Sequence, residues 1–232
     1  MNTPSIEILE SVETPIGLLC LRRRELLSRP GTMVTEVTLE HEFLMSSYNT
    51  ASEEALARLG IEWHGGRNPA VLVGGLGLGY TAQAALDCSQ AARVVVIEFL
   101  PEVISWLSRN LIPLAGTLLN EPRFSVKQGD FFQYLGAPAE SRYDIILVDE
   151  SHNFRNPSAK RYRALMEIIR GGKPDKRVLL MTATPINNTV RDLYYQLLLI
   201  TRGDDTWYAC LLYTSDAADE GLGVDLGGRR II

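Results

Sequence analysis

The chain has little cysteine. Cys20, Cys88 and Cys210 are its only thiols in 232 residues; they are far apart, odd in number and without a C-x-x-C spacing. That usage excludes a disulfide framework and a thiolate zinc site, and it suits a reducing cytoplasm. No apolar run approaches the ~18 residues that a membrane span requires. Met1 to Glu13 holds three acids and no basic residue, so no secretory signal is expected. Positive charge is scarce too: the net charge is −5 and the pI is near 5.3, which argues against binding nucleic acid through bulk charge. The expectation is a soluble, cytoplasmic chain with no membrane partner and no structural metal. Its oligomeric state is not legible.

What is present is ordinary for a globular protein. Hydrophobic residues make up 46% and charged residues 22%, in a length that suits one large domain or two small ones. One stretch is locally basic. Between Arg155 and Arg177 eight Lys or Arg face only Glu167 and Asp175, a pattern that fits a solvated helix face or a polyanion site.

The first 50 residues read as strands. Ile6–Val12 and Ile16–Arg22 flank a Glu-Thr-Pro turn, and Val34–Leu39 alternates apolar with polar residues. A helix is expected to start at Ser52 and to stop at Gly60. Strands and helices then alternate. The apolar runs Ala70–Val73, Val94–Ile97, Phe124–Lys127 and Asp144–Val148 are separated by helical segments, among them Tyr80 to Asp87 and one opened by Pro101. Continuous β-branched strands separated by helices predict an α/β, Rossmann-like, mostly parallel sheet covered on both faces.

The unusual residues fall at the carboxyl ends of those strands, where ligands of such sheets bind. Gly74, Gly75, Gly77 and Gly79 form a glycine-rich loop directly after the first strand and before a helix. Glycine there allows tight turning and lets backbone N–H groups approach a ligand. Glu98 lies 19 residues past Gly79 at the end of the next strand, where a carboxylate can accept ribose hydroxyls. Asp130 and Asp149 follow the next two strands. Each position also has a plainer reading, because such glycines can serve close packing and strand-end acids can cap the following helix. Together they point to a small-molecule nucleoside ligand, and a nicotinamide cofactor would fit the same loop.

Four segments carry a family resemblance. Val71-Leu-Val-Gly-Gly-Leu-Gly-Leu-Gly-Tyr80, Val96-Ile-Glu98, Gln128-Gly-Asp130 and Asp144-Ile-Ile-Leu-Val-Asp149 resemble the spermidine synthase (polyamine aminopropyltransferase) group, which shares its fold with S-adenosylmethionine-dependent methyltransferases. The strand-rich start, including Glu42-Phe43, is similar to that family's small N-terminal β-domain. The resemblance implies S-adenosylmethionine or decarboxylated S-adenosylmethionine as ligand, with the loop at its amino-acid part, Glu98 at the ribose and Asp130 at the adenine. It implies for Asp149 the catalytic place of an acid that receives the attacking amine. Leu76 or Leu78 stands where the family has an Asp, and Leu44-Met-Ser46 where it has a Tyr-His pair after Glu-Phe. Glu150-Ser-His-Asn153 replaces a second Asp. Those groups would hold a polyamine's ammonium ends, so an acceptor other than putrescine is expected.

A second resemblance begins near Tyr143 and runs to Ala209. Val148-Asp-Glu-Ser-His152 and Thr182-Ala-Thr-Pro185 resemble motifs two and three of Swi/Snf-type superfamily-two helicases. In that reading Asp149 would hold Mg²⁺ through water, Glu150 would polarise the attacking water, and Thr182 and Thr184 would couple nucleotide to nucleic acid. The phosphate-binding G-x-x-x-x-G-K-[ST] is missing, however: Gly172-Lys173 is followed by Pro174. ATP and Mg²⁺ are therefore not expected as cofactors of this chain, and nucleic acid is a partner only in the helicase reading. Residues 210–232 resemble the translation of a transposase-type sequencing adapter, and their glycine content predicts a flexible tail.

The expected organisation is a β-rich segment over 1–50, a nucleoside-binding domain over 51–149, a helicase-like fragment over 150–209 and an adapter-like tail over 210–232. Residues 158 to 170 read as a helix and Arg177–Met181 as a strand that would extend the sheet in register. The economical expectation is a composite reading frame, transferase-like in front and catalytically incomplete.

Overall fold

The computed structural model describes residues 6–66, 68–135, 143–148, 154, 156–171, 176–182 and 190–206. The chain divides into two compact units. One comprises Met1–Asp149 with Gly172–Leu180, the other Glu150–Gly171 with Met181–Ile232.

The first unit opens with a four-stranded antiparallel sheet in sequence order: β1 (Ile6–Thr14), β2 (Gly17–Glu25), β3 (Met33–Leu39) and β4 (Glu42–Ser46). β3 carries the pattern Val-Thr-Glu-Val-Thr, which as a simple alternation would leave one face wet. Instead Val34 through Val37, and Thr38 after them, are all buried. Glu36 can be buried because Arg22 and Arg24 of the neighbouring strand both reach it, at 3.0 and 2.6 Å. β3 and β4 are joined by Glu40 and His41, both at positive φ (50° and 69°), the geometry of a type I′ hairpin turn. Glu40 pins the turn to β2, since Leu18 N–H donates to its Oε1 at 2.6 Å.

Helix α1 (Ala51–His64) follows. Its first residue is one earlier than expected, with Thr50 at the N-cap position and Thr50 Oγ1 bonded to Glu54 at 2.6 Å. The expected stop at Gly60 is wrong. Gly60 lies buried inside the helix, which ends at Gly65 in the left-handed conformation. A Cβ on Gly60 would sit 2.8 Å from Leu147 Cδ2 and 3.5 Å from both Ile145 and Leu179. Gly60 thus marks where α1 crosses the second sheet at close range.

That sheet has five strands in the order β7-β6-β5-β8-β9. They are β5 (Ala70–Gly74), β6 (Arg93–Glu98), β7 (Phe124–Gln128), β8 (Ile145–Val148) and β9 (Arg177–Leu180), and every pairing is parallel. The central strands are buried except at Arg93, which opens β6, and Gly74, which ends β5, with Val71, Leu72, Val94, Val96, Ile145 and Leu147 at zero exposure. Burial on both faces explains why these runs do not alternate; each such side chain contributes about 1.5–3 kcal/mol relative to leaving it in water. Helices α2 (Tyr80–Asp87), α3 (Pro101–Ser108), α4 (Ala115–Leu119) and α5 (Phe131–Leu135) belong to the crossovers. α2 contributes Ala82, Ala85 and Leu86 to the core, and α3 contributes Val103, Trp106 and Leu107. β9 pairs with β8 in parallel, Ile145 opposite Arg177 and Val148 opposite Leu180, so the expected fifth strand exists and is in register.

In the second unit, α6 (Lys160–Arg170) buries Tyr162, Leu165, Met166 and Ile168 at helical spacing. α7 (Val190–Ile200) lies against it, and the Tyr162 hydroxyl donates to the Tyr195 carbonyl at 2.9 Å. Burial pushes the Tyr162 phenol up to about 12. Residues 207–232 lie outside the described residues. Among the described residues no helix is long and apolar enough to cross a membrane.

Candidate functional site

The order of the five-stranded sheet reverses at β5: β6 and β7 lie on one side of it, β8 and β9 on the other. The crevice beyond the carboxyl ends at that point is where such sheets hold ligands, and Gly74–Gly79 leaves β5 directly into it. Gly75, Gly77 and Gly79 have φ of 90°, 52° and 90°, backbone that residues with a Cβ seldom adopt. The loop is closed by Gly79 N–H to the Leu76 carbonyl (2.8 Å), and α2 starts with Gln83 N–H to the Gly79 carbonyl (2.9 Å).

The four glycines answer to different neighbours. A Cβ on Gly74 would meet the Phe131 ring at 3.0 Å, one on Gly79 would meet Leu118 at 2.6 Å, and one on Gly77 would meet Met45 Cε at 2.5 Å and Sδ at 2.6 Å. At Gly75 a Cβ would meet nothing within 4 Å. Close packing accounts for three of the glycines, while Gly75 borders open space. Met45 comes from β4, so the N-terminal sheet supplies one wall of the loop. Ser47, just past β4, bonds the Tyr80 phenol at the start of α2, and burial holds that phenol above its usual range.

Glu98 ends β6 and is 7% exposed. Its Oε2 accepts from Leu76 N–H at 2.7 Å and its Oε1 from Leu100 N–H at 2.8 Å. The carboxylate therefore clasps the middle of the glycine loop to the entry of α3. Each oxygen keeps a second lone pair for a hydroxyl donor. Gly75 N–H donates to the Ile97 carbonyl at 2.9 Å, which draws the loop toward the end of β6. Asp130 stands at the end of β7. Its Oδ1 accepts from Gln133 N–H at 3.3 Å, so it caps α5. Among the described residues, the N–H groups of Gly77 and Leu78 donate to no partner.

The structure thus brings Gly74, Gly75, Gly77, Gly79, Glu98 and Asp130 to one edge of one sheet. Asp149, Glu150 and Thr184 lie outside the described residues, and Thr182 is half-buried just past β9. Lys160, Arg161, Arg163 and Arg170 are exposed on α6, and Arg170 is bonded to the Arg202 carbonyl at 2.8 Å, whereas Lys176 is buried. No group of three or more metal-ligating side chains occurs among the described residues. Sequence reasoning missed Met45 and Ser47, because nothing in Leu44-Met-Ser-Ser47 signals that this strand end meets a loop thirty residues on.

No family model matches the chain. Among solved structures it is similar to a spermidine synthase in complex with the transition-state analogue AdoDATO, with a TM-score of 0.61 and 17% identity over 86% of this chain and 64% of that one. It is similar also to the spermidine synthase of Thermotoga maritima, with a TM-score of 0.60 and 16% identity over 86% of this chain and 63% of that one. At such identity the likeness shows the fold. By sequence, a 61-residue segment is 31% identical to an uncharacterized ATP-dependent helicase of Bacillus subtilis (strain 168), covering 26% of this chain and 10% of that protein. A 94-residue segment is 27% identical to the SWI/SNF-related matrix-associated actin-dependent regulator of chromatin subfamily A-like protein 1 of Bos taurus, covering 40% of this chain and again 10% of the relative. The chain therefore spans a tenth of these relatives and less than two thirds of the two synthases. Both resemblances seen in the sequence are present: the synthases in the fold, the helicase-type proteins in a segment of the sequence.

Proposed function

We propose that residues 51–149 form a nucleoside-binding domain of the transferase type, whose ligand is S-adenosylmethionine or its decarboxylated form. The observation that carries this reading is the Glu98 clasp. A buried carboxylate at the end of β6 holds the glycine loop of β5 at 2.7 Å, beside a glycine whose missing Cβ leaves open space. In this reading Glu98 receives the ribose hydroxyls on its remaining lone pairs, and Asp130 meets the base at the end of β7. The N–H groups of Gly77 and Leu78, which have no partner among the described residues, would be donors to the sulfonium ligand's tail. An aminopropyl or methyl transfer would have a nucleophile attack a carbon next to the sulfonium, with Asp149 orienting it or taking its proton. Positioning of that kind needs an acceptor pocket, and Leu44-Met-Ser46 and Glu150-Ser-His-Asn153 stand where the resemblance expects the acceptor-binding groups, so binding without turnover is the expected behaviour. Isothermal titration calorimetry with 5′-methylthioadenosine and S-adenosylmethionine tests the reading. Heat from both supports it, and no heat at millimolar ligand discards it.

A second reading rests on the helicase-type relatives. Asp149 and Glu150, with Thr182 and Thr184, would be motor remnants within about 143–209, and the transferase-like front and residues 210–232 would be the other pieces of a composite frame. ATP hydrolysis is not expected without a phosphate-binding loop. Phosphate release stimulated by nucleic acid and abolished by Glu150→Gln would establish this reading instead. Amplification of one continuous gene across codons 140 to 215 from source DNA would show a natural fusion.

A further inference from the structure

We propose that Ser47 and Tyr80 are positioning residues of the nucleoside cradle: the Ser47 hydroxyl, just past β4, holds the Tyr80 phenol and thereby fixes the glycine loop at the end that Glu98 does not hold. The inference deepens the nucleoside reading above and rests on it.

A loop with Gly75, Gly77 and Gly79 all at positive φ has unusually many conformations to lose when it is ordered. A ligand that must order it binds more weakly for doing so, and whatever holds the loop beforehand restores that affinity. On the side of β6 the hold is polar. Glu98 takes Leu76 N–H at 2.7 Å, and the Ile97 carbonyl takes Gly75 N–H at 2.9 Å. Both bonds act on the first half of the loop. The second half, Gly77 to Gly79, runs into α2 at Tyr80, and there the N-terminal sheet takes over. Met45 of β4 fills the place of a Gly77 Cβ, with Cε 2.5 Å and Sδ 2.6 Å from it. Two residues further on, the Ser47 hydroxyl bonds the Tyr80 phenol.

That hydroxyl is itself fixed. Ser47 Oγ accepts from Thr35 N–H at 2.9 Å, and Ser47 N–H donates to the Thr35 carbonyl at 2.9 Å. Thr35 is a buried residue of β3, so Ser47 is tied to the sheet by backbone and side chain together. Its one hydroxyl proton is left for Tyr80. Burial raises the phenol above its usual range and the Ser47 bond opposes that rise, as a donor to the phenol oxygen does. Tyr80 directly follows Gly79, whose N–H closes the loop on the Leu76 carbonyl at 2.8 Å. The line from β3 through Ser47 and Tyr80 to Gly79 thus ends at Leu76, the residue that Glu98 holds from the other side.

Calorimetry of the full chain with 5′-methylthioadenosine, beside thermal melts of each variant, tests this. Tyr80→Phe keeps the ring and the Ser47–Thr35 bonds and removes only the phenol oxygen. It should weaken binding about threefold to tenfold, the factor of one ordinary hydrogen bond. Ser47→Ala should weaken it by a like factor, and Ser47→Thr, which keeps the hydroxyl, should recover most of that loss. The double variant of Ser47→Ala with Tyr80→Phe should bind no more weakly than the weaker single one, because both act through one bond. A bond that served stability alone would lower the melting temperature and leave the affinity where it was. Tyr80→Phe with unaltered affinity therefore overturns the proposal, and so do losses that multiply in the double variant. Should Ser47→Ala fail to fold for want of an acceptor for Thr35 N–H, Tyr80→Phe against the unaltered chain decides alone. No binding by the unaltered chain removes the nucleoside reading itself, a different result from a site that binds and is indifferent to Tyr80.

Discussion

At the scale of single residues, Glu36 and Glu98, both buried carboxylates of the first unit, do opposite kinds of work. Glu36 satisfies cations and Glu98 satisfies backbone. Burial alone would push the Glu36 carboxyl upward, but the bonds from Arg24 and Arg22 outweigh it, and the group is held below its ordinary range. A depressed folded-state pKa gives stability that is complete above the unfolded carboxylate value of about 4.3 and disappears as pH falls through the folded one. Glu36→Gln should therefore cost about 1–3 kcal/mol at neutral pH, the usual size for hydrogen bonds to a charged group. Urea denaturation at pH 7 and at successively lower pH should show the difference between the two proteins closing below the ordinary carboxylate range. A difference constant with pH would mean that Glu36 acts through packing and not through charge. Glu98 was legible in the sequence as the acid ending the second strand of the α/β region. Its clasp on Leu76 was not, because a bond across 22 residues exists only once β5 and β6 lie side by side.

At the scale of elements, Gly60 shows how one residue type can be read two ways. Glycine costs a helix interior about 1 kcal/mol relative to alanine and is the usual residue just past a helix end, so from sequence it reads as a stop. The structure spends that cost on proximity, since α1 meets β8 and β9 at the one position without a side chain. Gly60→Ala should change stability little, because its Cβ would press on the flexible tip of Leu147 while the helix gains propensity. Gly60→Val adds two branched methyl groups against Leu147, Ile145 and Leu179, and it should destabilise by about 1–3 kcal/mol, the range for overpacking. Thermal melts of the three proteins give the order directly, and a Val variant as stable as the parent would show that α1 does not approach the sheet there. The β3–β4 hairpin escaped sequence reading for a related reason. Its turn is made by Glu40 and His41 at positive φ, without the Asn-Gly that usually announces one. Glu40 is held in this turn by its bond to Leu18, a tertiary contact that local propensity does not register. α4 and α5, five residues each, are too short to show a period at all.

At the scale of the whole molecule, the parallel α/β class was plain from four apolar runs and the helices between them, because strands buried on both faces need no alternation. Strand order was not, since nothing in Ile145–Val148 says that it pairs with β5 and not with β7. That order has a kinetic consequence. Val71 pairs with Val94 after a short crossover, but with Ile145 only across more than seventy residues, and closing longer loops is slower and entropically dearer. The β5–β6–β7 half should assemble early and β8 should dock late, which makes the crevice between β5 and β8 one of the last features to exist. A ligand of that crevice would have nothing to bind in the folding transition state. Saturating 5′-methylthioadenosine should then slow unfolding in proportion to its affinity and leave the refolding rate unchanged in stopped-flow mixing. Faster refolding with ligand would mean that the cradle forms before the sheet closes.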